Sequence, residues 1–179
     1  NLFEIFIADT GSSFEEKNLI KEKIQNYNNI KLIEYDYYNF SKINNHVVKN
    51  HVSDDFEFIL FCNNDIELKS NVIYGMLKTF KENIKTGTVG CRLHFSNNTV
   101  QHDGISVLMK TSSKSFIVDH LMRETYYKYS IGNTEVGGNT AALMMVRKSL
   151  FLKHGGFNEN LRHCYEDALF NLQLLKNGY

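Results

Sequence analysis

The sequence predicts an α/β fold built on a mostly parallel central sheet with helices on both faces. Three observations predict it. Short apolar runs alternate with stretches of helical period along the first half of the chain, the pattern that βα crossovers leave in a sequence. One of these runs, Phe56, Phe58, Ile59, Leu60 and Phe61, is apolar and aromatic-rich, as suits a strand buried on both faces. Polar and acidic residues stand where strands end, at Asp9 and at Asn63-Asn64-Asp65, and Glu166-Asp167 open the last helix. Open α/β sheets bind their ligands beyond the carboxyl ends of their strands.

Taken in order, Leu2 to Ala8 reads as a strand, followed by Asp9-Thr10-Gly11-Ser12-Ser13. Ser13 with Glu16 fits a capping box, and Ile20, Ile24 and Tyr27 then share a helical face. Ile30 to Tyr35 is a strand, and Phe40, Ile43 and Val47 give helical spacing. After the central strand, Ser70 is the expected cap of a helix with Val72, Ile73, Met76, Leu77 and Phe80 on its apolar face. Thr88 to Leu93 begins a further strand, Asn97-Asn98 signals a turn, and Val100 to Leu108 is one β-like run containing Gln101-His102-Asp103-Gly104. Residues 110–135 are polar, Ser-rich and Tyr-rich without a clean period. They predict a long excursion over the active face. Thr140 to Val146 is an apolar strand, Lys148 to His154 a short helix stopped by Gly155-Gly156, and Tyr165 to Lys176 the last helix.

Composition narrows the function classes. A chain of 179 residues with 42% hydrophobic content can bury one sizeable core. Its 20 basic and 20 acidic residues cancel, and no basic stripe argues for nucleic acid. Cys62, Cys91 and Cys164 lie far apart with no C-x-x-C spacing, so neither a zinc site nor a disulfide framework is expected and a reduced, cytoplasmic setting fits. No apolar run reaches the ~20 residues of a membrane span. The chain starts at Asn1 on a strand and stops at Gly178-Tyr179 after a helix, which predicts an excised fragment.

Each strand-end acid supports two readings. Asn63-Asn64-Asp65 is turn chemistry as readily as a site. Asp65 is a candidate for a hard cation completed by substrate phosphates, or a solvated loop carboxylate. Acids in the first turn of a helix, such as Glu166 and Asp167, favour the dipole by ~0.3–1 kcal/mol with no catalytic purpose, or take a proton from a hydroxyl within hydrogen-bond reach.

The segments FILFCNNDIEL (58–68), GTVGCRLHFSNNTVQHDGISV (87–107) and YEDALFNLQLLKNGY (165–179) resemble the family 2 glycosyltransferases of GT-A fold, closest to the bacterial rhamnosyltransferase-like branch that builds cell-surface polysaccharides. Asp9-Thr10-Gly11-Ser12-Ser13 resembles that family's Asp-x-x-Ser stretch, and Asn39 to Asn45 its next helix start. The resemblance implies an inverting, metal-assisted transfer of a sugar from a nucleotide-diphospho-sugar (a UDP-, dTDP- or GDP-sugar) to a hydroxyl of a saccharide or lipid-linked acceptor. It implies a cytoplasmic protein, with peripheral attachment at the inner membrane face as an open variant. Asp9 would contact the base, Asn63 and Asn64 would shape the loop and touch the nucleoside, and Asp65 would hold Mn2+ or Mg2+. Asp167 would be the catalytic base with Glu166 beside it. Gly137, Gly138, Asn139, Thr140 and His102 would lie in the acceptor region, His102 as part of a Gln-His-x-Gly element with no chemistry assigned.

Departures from the family pattern accompany the resemblance. The family's first strand is expected before Asn1, and part of its C-terminal region after Tyr179, so residues 1–179 are expected to be a single GT-A catalytic domain truncated at both ends. Asn63 replaces the commoner acid of the DXD-type motif, Asn44 an Arg near the diphosphate, and Ala141 a Gly of the acceptor-side strand. Two other classes stay open: a non-catalytic GT-A-like module that binds nucleotide or a partner, and a sugar nucleotidyltransferase. The latter calls for a Gly-rich basic phosphate loop near the start, and none is visible.

Overall fold

The structure, a computed structural model, describes residues 2–110, 112, 115–126, 132–162 and 164–179. The elements run β1 (Ile5–Asp9), α1 (Phe14–Ile24), β2 (Ile30–Glu34), α2 (Phe40–Asn50), β3 (Phe58–Cys62), α3 (Val72–Glu82), β4 (Thr88–Gly90), β5 (Leu93–His94), β6 (Val100–His102), β7 (Ile105–Lys110), β8 (Ser115–His120), β9 (Leu143–Arg147), α4 (Lys148–Lys153) and α5 (Glu166–Lys176).

β1 and β2 pair in parallel, from Ile5 opposite Ile30 to Asp9 opposite Glu34. β9 lies between β3 and β4 and runs antiparallel to both, with Cys62 opposite Leu143 and Gly90 opposite Met144. β3 and β4 therefore run parallel to one another with the returning strand between them. The sequence of β9 explains that central seat. Leu143, Met144, Met145 and Val146 are all buried, so the strand needs cover on both faces.

Two apolar layers provide it. Met144 and Val146 point into a cluster with Ile59, Phe61, Phe151, Phe157, Phe170 and Leu174. Leu143 and Met145 point the other way, toward Met76 and Phe80 of α3. The period-2 alternation of a strand thus feeds one core on each side. Phe61, Phe151, Phe157 and Phe170 stack edge-on or tilted with ring centroids 4.9–5.6 Å apart, a geometry that aromatic quadrupoles favour.

Local signals account for most helix starts. The expected capping box at Ser13 is present, with the Glu16 amide donating to Ser13 Oγ and the Ser13 amide to Glu16 Oε2. α1 nevertheless buries no residue: Tyr27 is exposed, and Ile20 and Ile24 are half-buried. Its solvent face is tied instead by Lys17 and Lys21 to Glu34. α2 buries Ile43 and Val47 as its spacing predicts, together with Ser41 and Val48.

Four sequence expectations are corrected. The N-cap of α3 is Asn71, one residue beyond Ser70, and its side chain makes no capping bond. Thr88 to Leu93 divides into β4 and β5, and the run from Val100 to Leu108 is cut into β6 and β7 at Gly104, whose φ of 114° departs from extended backbone. Within 110–135, Ser115–His120 is a regular strand. It pairs with β7 from Ile105–His120 to Lys110–Ser115, whereas residues 127–131 lie outside the described residues. Among the described residues no helix is long and apolar enough to cross a membrane.

Candidate active site

β3 carries the chain from the core to the surface. Ile59 and Phe61 are buried, and Cys62, Asn63, Asn64 and Asp65 are exposed. The Ile66 amide and the Cys62 thiol both donate to the Asn63 carbonyl, at 3.4 and 3.3 Å. The stretch is therefore a tight turn, as Asn-Asn-Asp predicts. It is also a strand-end site, because the Asn63 amide donates to the Ala142 carbonyl at 2.8 Å and so joins the turn that leads into β9.

That turn, Asn139-Thr140-Ala141-Ala142, is where four elements meet. From β6, His102 Nε2 accepts the Thr140 amide at 3.3 Å. From α5, Asp167 Oδ2 accepts the Ala141 amide at 3.0 Å. Asn171, one turn further along α5, donates to the Asn139 carbonyl at 3.0 Å and to the Asp167 carbonyl at 2.7 Å. From β4, Thr88 donates to Asn171 Oδ1 at 2.6 Å and accepts from Asn139 Nδ2 at 3.0 Å. The segment is largely withdrawn from solvent, so each of these polar groups needs a partner and the network supplies it.

Asp167 is partly exposed and Glu166 is buried. Asp167 Oδ1 also accepts its neighbour's amide, Ala168 N–H at 2.7 Å. Each carboxylate oxygen carries two lone pairs, so both anchors leave acceptor capacity at the surface. Tyr165 starts α5 from the left-handed region at φ 68°.

Gly137 and Gly138 are required by close packing. A Cβ on Gly137 would sit 2.8 Å from the Ile105 carbonyl oxygen, and one on Gly138 2.6 Å from the Asn171 Cβ. Both glycines let the segment before Thr140 lie against β7 and α5.

Asp9, the last residue of β1, is buried to 6% exposure. Its Oδ1 accepts the Ser12 amide at 3.1 Å, and its Oδ2 is buried without a hydrogen-bond partner. Lys17 Nζ lies 3.5 Å from Oδ2, an ion-pair distance; its shorter contact is to Glu34 at 3.2 Å. Hydrogen bonding from Ser12 holds the Asp9 carboxyl below its ordinary range, against the opposing effect of burial and with help from Lys17. Asn44, on α2, donates to the Phe40 carbonyl of its own helix at 2.8 Å.

Asp65 fits a metal in one sense only. Its exposed carboxylate faces solvent at the strand end, and burial and then the Asp65 charge push the neighbouring Cys62 thiol up. Among the described residues no three His, Cys, Asp or Glu side chains gather into a cage. One carboxylate completed by ligand phosphates, the usual magnesium arrangement, matches this donor set.

The structure thus brings Asn63, His102, Gly138, Asn139, Thr140 and Asp167 around one turn, while Asp9 and Asn44 stand on β1 and α2 with other partners. Sequence reasoning missed Thr88, Asn171 and His120. Asn171 carried a signal, being a polar residue at helical spacing from Ala168 and Leu174 on the buried face of α5. His120, whose Nδ1 is 2.6 Å from His102 Nδ1, carried none.

The parallel β1–β2 pair ends at Asp9, the mixed β3–β9–β4 sheet leads to Asp65, and a carboxylate opens the last helix, all within an α/β fold. The crystal structure of GalNAc-T7 with UDP, GalNAc and Mn2+ shares this fold with a TM-score of 0.69 and 12% identity, covering 97% of this chain and 34% of that one. The chain belongs to glycosyl transferase family 2, whose family model matches residues 1–155. It is 29% identical over 182 residues to the O-antigen biosynthesis protein RfbC of Myxococcus xanthus, covering 98% of this chain and 14% of that protein. The chain therefore spans a small part of these relatives' length.

Proposed function

We propose that residues 1–179 form the donor-binding and catalytic core of an inverting glycosyltransferase, active in a bacterial cell-surface polysaccharide pathway. The observation that carries this reading is the convergence of Asp167 and Asn63 on the Ala141-Ala142 backbone, at 3.0 and 2.8 Å. It brings the partly exposed Asp167 carboxylate to the turn that meets the end of β3, three residues before Asp65. An acceptor hydroxyl seated against Asp167 gives its proton to that carboxylate as its oxygen bonds to the anomeric carbon. The bond from that carbon to the diphosphate breaks on the opposite face, the diphosphate leaves with the electron pair, and the configuration inverts.

Asp9 supports a nucleoside on the β1 side. Its ionised, buried carboxylate has an oxygen without a hydrogen-bond partner, which can accept only an N–H or O–H donor. The N–H of a uracil, thymine or guanine ring is such a donor. Asp65 would hold a divalent cation together with the diphosphate oxygens, and Mn2+ or Mg2+ so bound supplies Lewis-acid stabilisation of the departing charge. The O-antigen role of the relative and the UDP, GalNAc and Mn2+ of the fold neighbour agree with a nucleotide-sugar donor and a metal. On this reading the protein works in the cytoplasm, with peripheral attachment at the inner membrane face as an open variant.

The test uses the full-length protein with a panel of UDP-, dTDP- and GDP-hexoses and Mn2+, following nucleotide release. Asp167→Asn is expected to lower kcat by about 10²- to 10⁴-fold, the range for a general base, and Asp65→Ala to lower turnover and raise the metal concentration it requires. Turnover untouched by both substitutions would overturn the assignment in favour of a binding module.

A further inference from the structure

His102 is 1% exposed and stands between two elements of the site. Its Nε2 accepts the Thr140 amide at 3.3 Å, and its Nδ1 is 2.6 Å from His120 Nδ1 on β8. The two rings cross nearly at right angles with centroids 4.9 Å apart. The Thr140 contact settles the tautomer, because a nitrogen that accepts an amide proton carries none of its own. Neutral His102 therefore bears its proton on Nδ1 and donates it in a hydrogen bond to His120, which keeps its own on Nε2. Burial, and then the neighbouring His120, push the His102 pKa down to about 4, so this neutral form prevails at pH 7.

The peptide that His102 holds is the one next to Asp167. Thr140 N–H points to His102 and Ala141 N–H, one residue on, points to Asp167 Oδ2. Two adjacent amides are thus fixed by two side chains from different elements. The β7–β8 hairpin is drawn into the same arrangement through His120 and through the Leu121 amide, which donates to the Gly104 carbonyl at 2.8 Å. Rotation of the Thr140–Ala141 peptide would move the anchor of the Asp167 carboxylate.

The geometry points to His102 as a positioning residue that, by accepting the Thr140 amide, fixes the Ala141 N–H that orients Asp167 for proton transfer. His102 touches no reacting atom in this scheme and acts through the turn. The role requires an acceptor at the Nε2 position and not an imidazole. The proposal rests on Asp167 being the base.

Two measurements on the full-length protein test it. In hydrogen exchange, His102→Leu is expected to release protection at the Thr140 and Ala141 amides while the Val146 amide in β9 keeps its protection. His102→Gln, which retains an acceptor and a donor without a titrating ring, is expected to keep all three. In nucleotide release from the same UDP-, dTDP- and GDP-hexose panel with Mn2+, His102→Leu is expected to lose up to about 100-fold in kcat with little change in donor KM, the effect of a small misplacement of a reacting group. His102→Gln is expected to return kcat toward the parent value.

The proposal is overturned if the folded Leu and Gln variants behave alike in exchange and turnover, whether both match the parent or both are equally impaired. Should His102→Leu fail to fold, His102→Gln decides alone: retained Thr140 protection and turnover support the role, and their loss overturns it. Asp167→Asn measured alongside separates the two levels. Retained turnover in that variant sinks the base assignment, whereas its inactivity with an unaffected His102→Leu removes only the positioning role.

Discussion

Asp9 presents one occupied oxygen and one open one. The Ser12 amide occupies Oδ1, whereas Oδ2 is buried with Lys17 Nζ 3.5 Å away as its ion-pair partner. A buried acceptor left in this state is costly unless a ligand completes it. Asp9→Asn keeps the size and removes the charge, and on the proposed nucleoside contact it should raise donor KM by about 10-fold or more with kcat little changed, since hydrogen bonds to charged groups are worth about 1.5–3 kcal/mol. Initial-rate kinetics against donor concentration check this; an unchanged KM would remove Asp9 from the donor site. The strand-end position of Asp9 was legible in the sequence. The state of its two oxygens was not, because it depends on how the Asp9–Ser12 turn folds and where Lys17 reaches.

At the scale of elements, the turn before β9 and the start of α5 hold one another through glycine contacts and side-chain amides. A methyl group on Gly138 would meet the Asn171 Cβ at 2.6 Å, an atom next to helix backbone that cannot swing aside. Gly138→Ala should therefore destabilise the protein by about 1–3 kcal/mol, the usual cost of overpacking. A methyl group on Gly75, inside α3, would meet nothing within 4 Å. Gly75→Ala should stabilise by about 0.5–1 kcal/mol through backbone entropy, and thermal or urea unfolding of the two variants should give shifts of opposite sign.

Helices were the most legible elements, since the Ser13–Glu16 box and the spacing of Ile43 and Val47 are local signals. The β7–β8 hairpin was not. In Ser115–His120 the apolar run Phe116, Ile117 and Val118 is too short to announce a strand, and the strand forms because β7 offers it a complete antiparallel edge.

For the whole molecule, acid should act in two windows. His102 binds its proton at about 4 in the folded chain, against an ordinary 6.5. Between these values the unfolded chain carries a proton that the native state refuses, so stability falls as pH drops from about 6.5 to about 4, by roughly 3 kcal/mol at most. Asp9 and Glu34 have pKa values below their ordinary ones, Asp9 through Ser12 and Glu34 through Lys21 and Lys17. Their contributions are present above the ordinary carboxylate range and are lost only as pH falls further, through the folded values. Melting temperature against pH should thus decline in two stages, and His102→Gln should flatten the first while leaving the second. A single stage, unchanged by that substitution, would contradict the buried neutral imidazole.

By itself the sequence determined the order and type of most elements, the strand-end acids at Asp9 and Asp65, and the family resemblance that comparison of residues 1–155 upheld. These are local properties, written in periodicity, capping residues and turn chemistry. Tertiary structure alone decided that β9 enters antiparallel between β3 and β4, that Thr88 and Asn171 brace the turn at Asn139, and that His102 and Asp167 grip adjacent amides. Those contacts join residues dozens of positions apart. They are set by which buried polar groups must find partners once both faces of β9 are covered, a requirement that arises only when the core has closed.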